Sequence, residues 1–105
     1  MAEVALKVIS GVCGMQSVIY AECDDMQHVR VSIESDCGQI VRLGEMICQV
    51  DAMKELFSGF GEGDVYEAAK KNISHAACPI PAAILKGVEA AAGMALKRDV
   101  HIKFD

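Results

Sequence analysis

Over its first 34 residues the chain alternates with a period of two, and then the period changes. Val4, Leu6 and Val8 fall on one side of the segment from residue 4 to 9, with Lys7 on the other. Residues 16 to 22 form a second such segment, and residues 27 to 34 a third, with Val29, Val31 and Ile33 on its inward side. Successive side chains of a strand point to opposite faces, so this pattern specifies strands that bury one face only. Between them lie Ser10-Gly11-Val12-Cys13-Gly14, with two glycines free to take positive φ, and the turn at Asp24-Asp25. Three strands joined by short turns make an antiparallel meander.

After residue 34 the apolar residues recur at helical spacing. Ser35 or Asp36 is placed to cap a helix running to about Gln49, with Ile40, Leu43 and Ile47 as its buried stripe. Asp51 caps a short second helix that ends before Gly59, and Gly59, Gly61 and Gly63 mark a flexible loop. Asp64 opens a third helix through about Asn72, with Glu67 at the capping-box position. Pro79 suits the first turn of a fourth helix, from about Ile80 to Leu96, which lines up Ile84, Val88, Ala91 and Ala95. Val100, Ile102 and Phe104 alternate again, as a short last strand would. The expected fold is therefore α+β, in the order β-β-β-α-α-α-α-β. An antiparallel three-stranded meander, with a C-terminal fourth strand, is covered on one face by helices. At 105 residues this is a single domain, residues 1–105.

Composition narrows the function classes. The net charge is −5, and no basic run exceeds two residues (Lys70-Lys71, Lys97-Arg98), so there is no stripe to track phosphates and nucleic acid is not an expected partner. No apolar run approaches the roughly 18 residues of a membrane span, and the alternating N-terminus is unlike a signal peptide. Five cysteines without a secretory signal point to the cytoplasm, where thiols stay reduced, and the odd number argues against a disulfide framework. The six methionines, which include Met1, show no metal-binding repeat and read as core filler.

Four residues suggest chemistry. Cys13 lies in the glycine-flanked turn, Cys37 in the first turn of the first helix, and His75 and Cys78 just before the last helix. Each falls at the end of an element, where a fold can collect donor atoms from distant stretches. Helix N-termini offer free N–H groups and the positive end of the macrodipole, which favour thiolate over thiol at Cys37 and Cys78. Three sulfurs and one nitrogen are a usual tetrahedral zinc set. Three thiolates, a neutral imidazole and a dication sum to −1, a charge that two helix N-termini can stabilise. The competing reading is that these are buried thiols acting as small hydrophobes. Cys48, 11 residues after Cys37 on the same expected helix, would stand about 16 Å away and reads as inert core. Cys23, beside Asp24, reads as structural, and His28 and His101 as surface or satisfied histidines.

The segments Gly11-Val12-Cys13-Gly14, Ser35-Asp36-Cys37 and His75-Ala76-Ala77-Cys78-Pro79-Ile80-Pro81 resemble those of an uncharacterised family of small prokaryotic proteins over nearly the whole chain. More distantly, the order of cysteines is similar to that of NifU/IscU-type iron–sulfur scaffolds, and the Cys-Pro that opens a helix is similar to the TSCPD zinc domain. The resemblance implies Cys13, Cys37, Cys78 and His75 as ligands. Where the scaffolds follow the first Cys with Gly-Asp, Cys13-Gly14 is followed here by Met15.

Three functions follow in order. The first is a small zinc-binding domain with a structural role and a protein partner. The second is an iron–sulfur or metal carrier. The third is a thiolate enzyme or persulfide acceptor with His75 as base, for which no residue stands out to orient the imidazole. A non-enzymatic role ranks ahead of an enzymatic one. An edge strand at Val100 to Phe104 could also pair with another chain.

Overall fold

The computed structural model describes residues 2–105. The three alternating segments are strands β1 (Ala2–Ile9), β2 (Gln16–Cys23) and β3 (His28–Ser35). They pair antiparallel in sequence order, with Leu6 opposite Ile19 and Ile19 opposite Ile33. The inward series Ile19, Ala21, Cys23, Val29 and Val31 is buried, while Glu3, Lys7, Tyr20 and Arg30 lie on the open face. Asp25 holds the β2–β3 turn. Its Oδ1 accepts from the N–H groups of Gln27 (3.0 Å) and His28 (2.8 Å), and its Oδ2 sits 2.7 Å from His28 Nδ1. That imidazole holds the Asp25 carboxyl well below the usual carboxylate range.

Helix α1 (Gly38–Met46) buries Ile40 and Leu43 against β3, with Ile47 at its C-cap. It stops earlier than the expected Gln49. The Cys48 carbonyl accepts from Val31 N–H at 2.9 Å, a bond to strand β3 rather than within a helix. Residues Gln49–Asp51 then form β4, which pairs with the start of β3 and places Val50 opposite Val29. Cys48 is thus exposed rather than core. Of the methionines read as filler, Met94 packs against the core, Met15, Met26, Met46 and Met53 are exposed, and Met1 lies outside the described residues.

Asp51 caps α2 (Ala52–Phe57), its Oδ1 accepting from Met53 N–H (2.9 Å) and Lys54 N–H (3.2 Å). Helix α3 (Asp64–Asn72) is capped from outside itself. Glu55 on α2 is only 3% exposed, and its carboxylate accepts from the N–H groups of Asp64 and Val65, both at 2.8 Å. A charged acceptor at a helix N-terminus satisfies two orphan donors and meets the positive end of the dipole. Gly63, at φ +96°, makes room for it: a Cβ there would stand 2.9 Å from Glu55 Oε1.

Helix α4 (Ile80–Ala91) lies over β1 and β2 and buries Ile80, Ile84, Val88 and Ala91. Gly87 brings the two layers together. A Cβ at that position would fall 2.8 Å from Leu6 Cδ1 and 3.7 Å from the Ala21 Cβ. The helix ends at Ala91, short of the expected Leu96, because Gly93 turns the chain at φ +77°. Residues 96–105 are exposed and belong to no helix or strand. The expected C-terminal strand is therefore absent from the chain's own sheet, and the fourth strand is β4. The observed order is β-β-β-α-β-α-α-α, a four-stranded antiparallel sheet with helices on one face.

Replacing Glu55 by Ala should cost about 3 kcal/mol in a urea titration, since hydrogen bonds to a buried charged acceptor contribute about 1.5–3 kcal/mol. Glu55→Gln keeps one acceptor oxygen and should lose less. Gly87→Leu overpacks the seam and should cost about 1–3 kcal/mol. In Gly87→Ala, by contrast, the gain in helix propensity, about 1 kcal/mol, offsets the displacement of the Leu6 side chain and leaves stability nearly unchanged.

Candidate metal centre

The pairing of the strands decides where the four residues go. Ile9 pairs with Gln16, so Cys13 lies at the tip of the β1–β2 hairpin. The tip is closed by Ser10 N–H to the Met15 carbonyl (3.1 Å) and Gly14 N–H to the Gly11 carbonyl (2.8 Å). Gly11 and Gly14 both take positive φ, +85° and +67°. Ser17 pairs with Ser35, so the chain leaving β3 passes this same end of the sheet. There Asp36 N–H donates to the Gln16 carbonyl at 3.1 Å.

Cys37 follows as the N-cap of α1, one position ahead of the expected first turn. Its carbonyl accepts from Ile40 N–H (3.1 Å) and Val41 N–H (3.0 Å), and its own N–H donates to Ser35 Oγ at 3.0 Å. Ser35 Oγ is 2.8 Å from Ser17 Oγ, and Ser17 is buried. This serine pair sits under Cys37 and fixes its backbone. Sequence reasoning missed it. The available signal was a polar residue at the head of the inward series Ser17, Ile19, Ala21, Cys23.

The last stretch is tied to the same place through Gln39. Its Nε2 donates to Ser74 Oγ (3.0 Å), and its Oε1 accepts from Ser74 N–H (3.2 Å). The segment from Ser74 to Pro79 is thereby held at the start of α1. Cys78 N–H donates to the His75 carbonyl at 3.0 Å, closing a turn, and α4 begins two residues later. Cys37 and Cys78 are half-buried and pack against the core, whereas Cys13 and His75 are exposed.

The three cysteines fall at the same end of the sheet. Burial pushes the Cys78 thiol up, a hydrogen bond from Ile80 N–H to the sulfur pulls it down, and Cys37 and Cys13 push it further up. The net direction is upward. The expected activation of Cys78 by its helix N-terminus is therefore outweighed by loss of solvent. Among the described residues, no three His, Cys, Asp or Glu side chains stand close enough together to hold a metal ion. Cys23 is buried at the opposite end of β2, its Sγ 3.7 Å from Asp25 Oδ1, and Cys48 is exposed beside β4.

A raised thiol pKa means less thiolate at a given pH, and thiolate is the species that is alkylated. In metal-free protein, iodoacetamide at pH 7.5 should therefore label exposed Cys13 before Cys78. The Cys78 rate should keep rising above the ordinary thiol pKa of about 8.5. Peptide mass spectrometry at timed quenches reads both rates.

No helix among the described residues is long and apolar enough to cross a membrane. Comparison with curated proteins and with solved structures yields no match. Residues 4–104 do match one family across almost the whole fold, and the chain belongs to that family of unknown function, DUF6951.

Proposed function

We propose that this chain is a small metal-binding domain that takes one zinc ion on Cys13, Cys37, Cys78 and His75, with a structural role and a protein as its partner. The supporting observation is the gathering of three thiols from three separated stretches at one end of the sheet, where Cys13 and Cys37 act on the charge state of Cys78. The donor chemistry fits a soft, tetrahedral ion. Cys78 carries a hydrogen bond that favours its thiolate, and a nearby dication would add the favourable charge that burial withholds. When bound, the metal would cross-link the hairpin tip to the starts of α1 and α4. Completing the site requires movement, and the Cys13 turn lies between two glycines of positive φ. Free thiols at exposed positions suit a reducing compartment such as the cytoplasm.

The exposure of Cys13 and His75 favours one further reading, a shallow and labile site of the iron–sulfur scaffold or metal-carrier kind. The scaffold-like order of the cysteines points the same way, and so does the Cys-Pro likeness to the TSCPD domain. Met15 stands where scaffolds carry the acidic residue that aids cluster transfer, which ranks zinc first. A thiolate enzyme or persulfide acceptor ranks third, because burial holds Cys78 in its thiol form.

Zinc titration of reduced protein against a chromophoric chelator should give one ion per chain. Free zinc at a hundredfold over Kd should raise stability by about 2.7 kcal/mol. Cys37→Ser and Cys78→Ser should remove that gain, and Cys48→Ser should leave it intact. Equal loss in the Cys48 variant, or no uptake at all, would overturn the zinc reading. Anaerobic reconstitution that gives a brown protein able to load an apo-acceptor would replace it with the carrier.

A further inference from the structure

Strand β1 is an edge of the sheet, eight residues long, with β2 on one side and, among the described residues, no strand on the other. A long open edge is a template for another strand. The same chain carries a segment with strand patterning and no partner. Val100, Ile102 and Phe104 alternate with His101 and Lys103, yet they are 62%, 86% and 94% exposed.

We infer that the C-terminal segment Asp99–Phe104 pairs antiparallel with the free edge of β1 in a second copy of this chain, and that the exchange is reciprocal.

One register matches the two strands on both faces. With Asp99 opposite Lys7, Lys103 falls opposite Glu3 and His101 opposite Ala5, all on the open face of the sheet. Both charged pairs are then of opposite sign, and such cross-strand pairs stabilise a sheet. Glu3 stands opposite Glu22, whose carboxylate Arg30 Nε already engages at 2.9 Å, so Lys103 would add a cation for Glu3 itself. On the helix-covered face, Val100 falls opposite Leu6, Ile102 opposite Val4 and Phe104 opposite Ala2. Those β1 residues are half-buried, so the added strand would complete their burial. A slip of one residue exposes the apolar set. A slip of two residues in either direction breaks both charged pairs.

In its own chain the segment does not take this register. Helix α4 starts at the hairpin end of the sheet, and Gly87 rides between the levels of Leu6 and Val4. Ala91, one turn on and about 6 Å lower, lies near the level of Glu3. Reaching Lys7 requires a climb of roughly 13 Å, followed by a reversal. Met94 and Ala95 are pinned to the helix end, both N–H groups donating to the Glu89 carbonyl (2.8 and 3.2 Å). Leu96, Lys97 and Arg98 would have to run almost fully extended to make that climb, since the four Cα steps from Ala95 to Asp99 span at most about 14 Å. Residues 95–100 instead line a cleft with Val4, Ala5 and Leu6, beside the edge without pairing to it. A second copy has no such tether, which is the condition under which elements are exchanged between protomers.

The test is sedimentation velocity on reduced, metal-free protein at concentrations from about 1 to 200 µM. The unmodified chain should dimerise. Reversing the tail charges (Asp99→Lys with Lys103→Glu) should weaken the dimer at least tenfold. Adding the matching reversal on β1 (Lys7→Glu with Glu3→Lys) should restore it. All of these positions are exposed on the single chain, and far-UV circular dichroism should be unchanged in each variant. A chain that stays monomeric throughout, a dimer indifferent to the tail reversal, or a reversal that the β1 changes fail to rescue would each overturn the inference.

Discussion

The seam between α4 and the sheet sets the position of everything else at the thiol end. Gly87 has no side chain, so the helix backbone comes down onto Leu6 and Ala21. Once that height is fixed, the helix buries Ile80, Ile84, Val88 and Ala91 in register along β1 and β2. Its first turn then lies over the hairpin, and Cys78 is carried with it to within electrostatic reach of Cys13 and Cys37. The placing of these thiols at one end of the sheet is thus a consequence of core packing. No local motif produces it, as the sequence separations of the cysteines already imply.

Two opposing effects act on the sulfur at the head of α4. An N–H of the first turn donates to it, which stabilises negative charge, while the surrounding apolar atoms remove the water that would solvate that charge. The loss of water prevails. Nucleophilic catalysis at neutral pH needs the reverse balance. Metal coordination does not, because the ion itself supplies the charge that draws off the proton.

Much of the fold was legible because it rests on local pattern. The alternation in β1, β2 and β3, the Asp51 cap and the extent of α3 could all be read from neighbouring residues. What was missed depends on long-range partners. The strand Gln49–Asp51 is three residues long, too short to alternate, and exists because β3 offers it an edge. Glu55 resembles any surface glutamate until α3 is docked on it, and Glu67, the expected capping residue, instead pairs with Lys70. The alternation of Val100, Ile102 and Phe104 was read as a last strand, but a strand needs a neighbour, and in this chain the segment has none and forms no strand. For the site, the positions of the four residues at element ends were legible. The serine pair beneath Cys37 and the Gln39–Ser74 tie were not, because each joins stretches far apart in sequence.

The buried Glu55 carboxylate also changes what the glycine loop after α2 contributes. Helices α2 and α3 are held to each other by a side chain, so the intervening loop is relieved of that task. Phe60 at its crest is almost wholly in solvent. A backbone cut there would leave two fragments locked together by the carboxylate and the shared core. For the same reason the loop is a natural place to open the chain, with new termini at Phe60 and the old ones joined, in a circular permutant that keeps its fold.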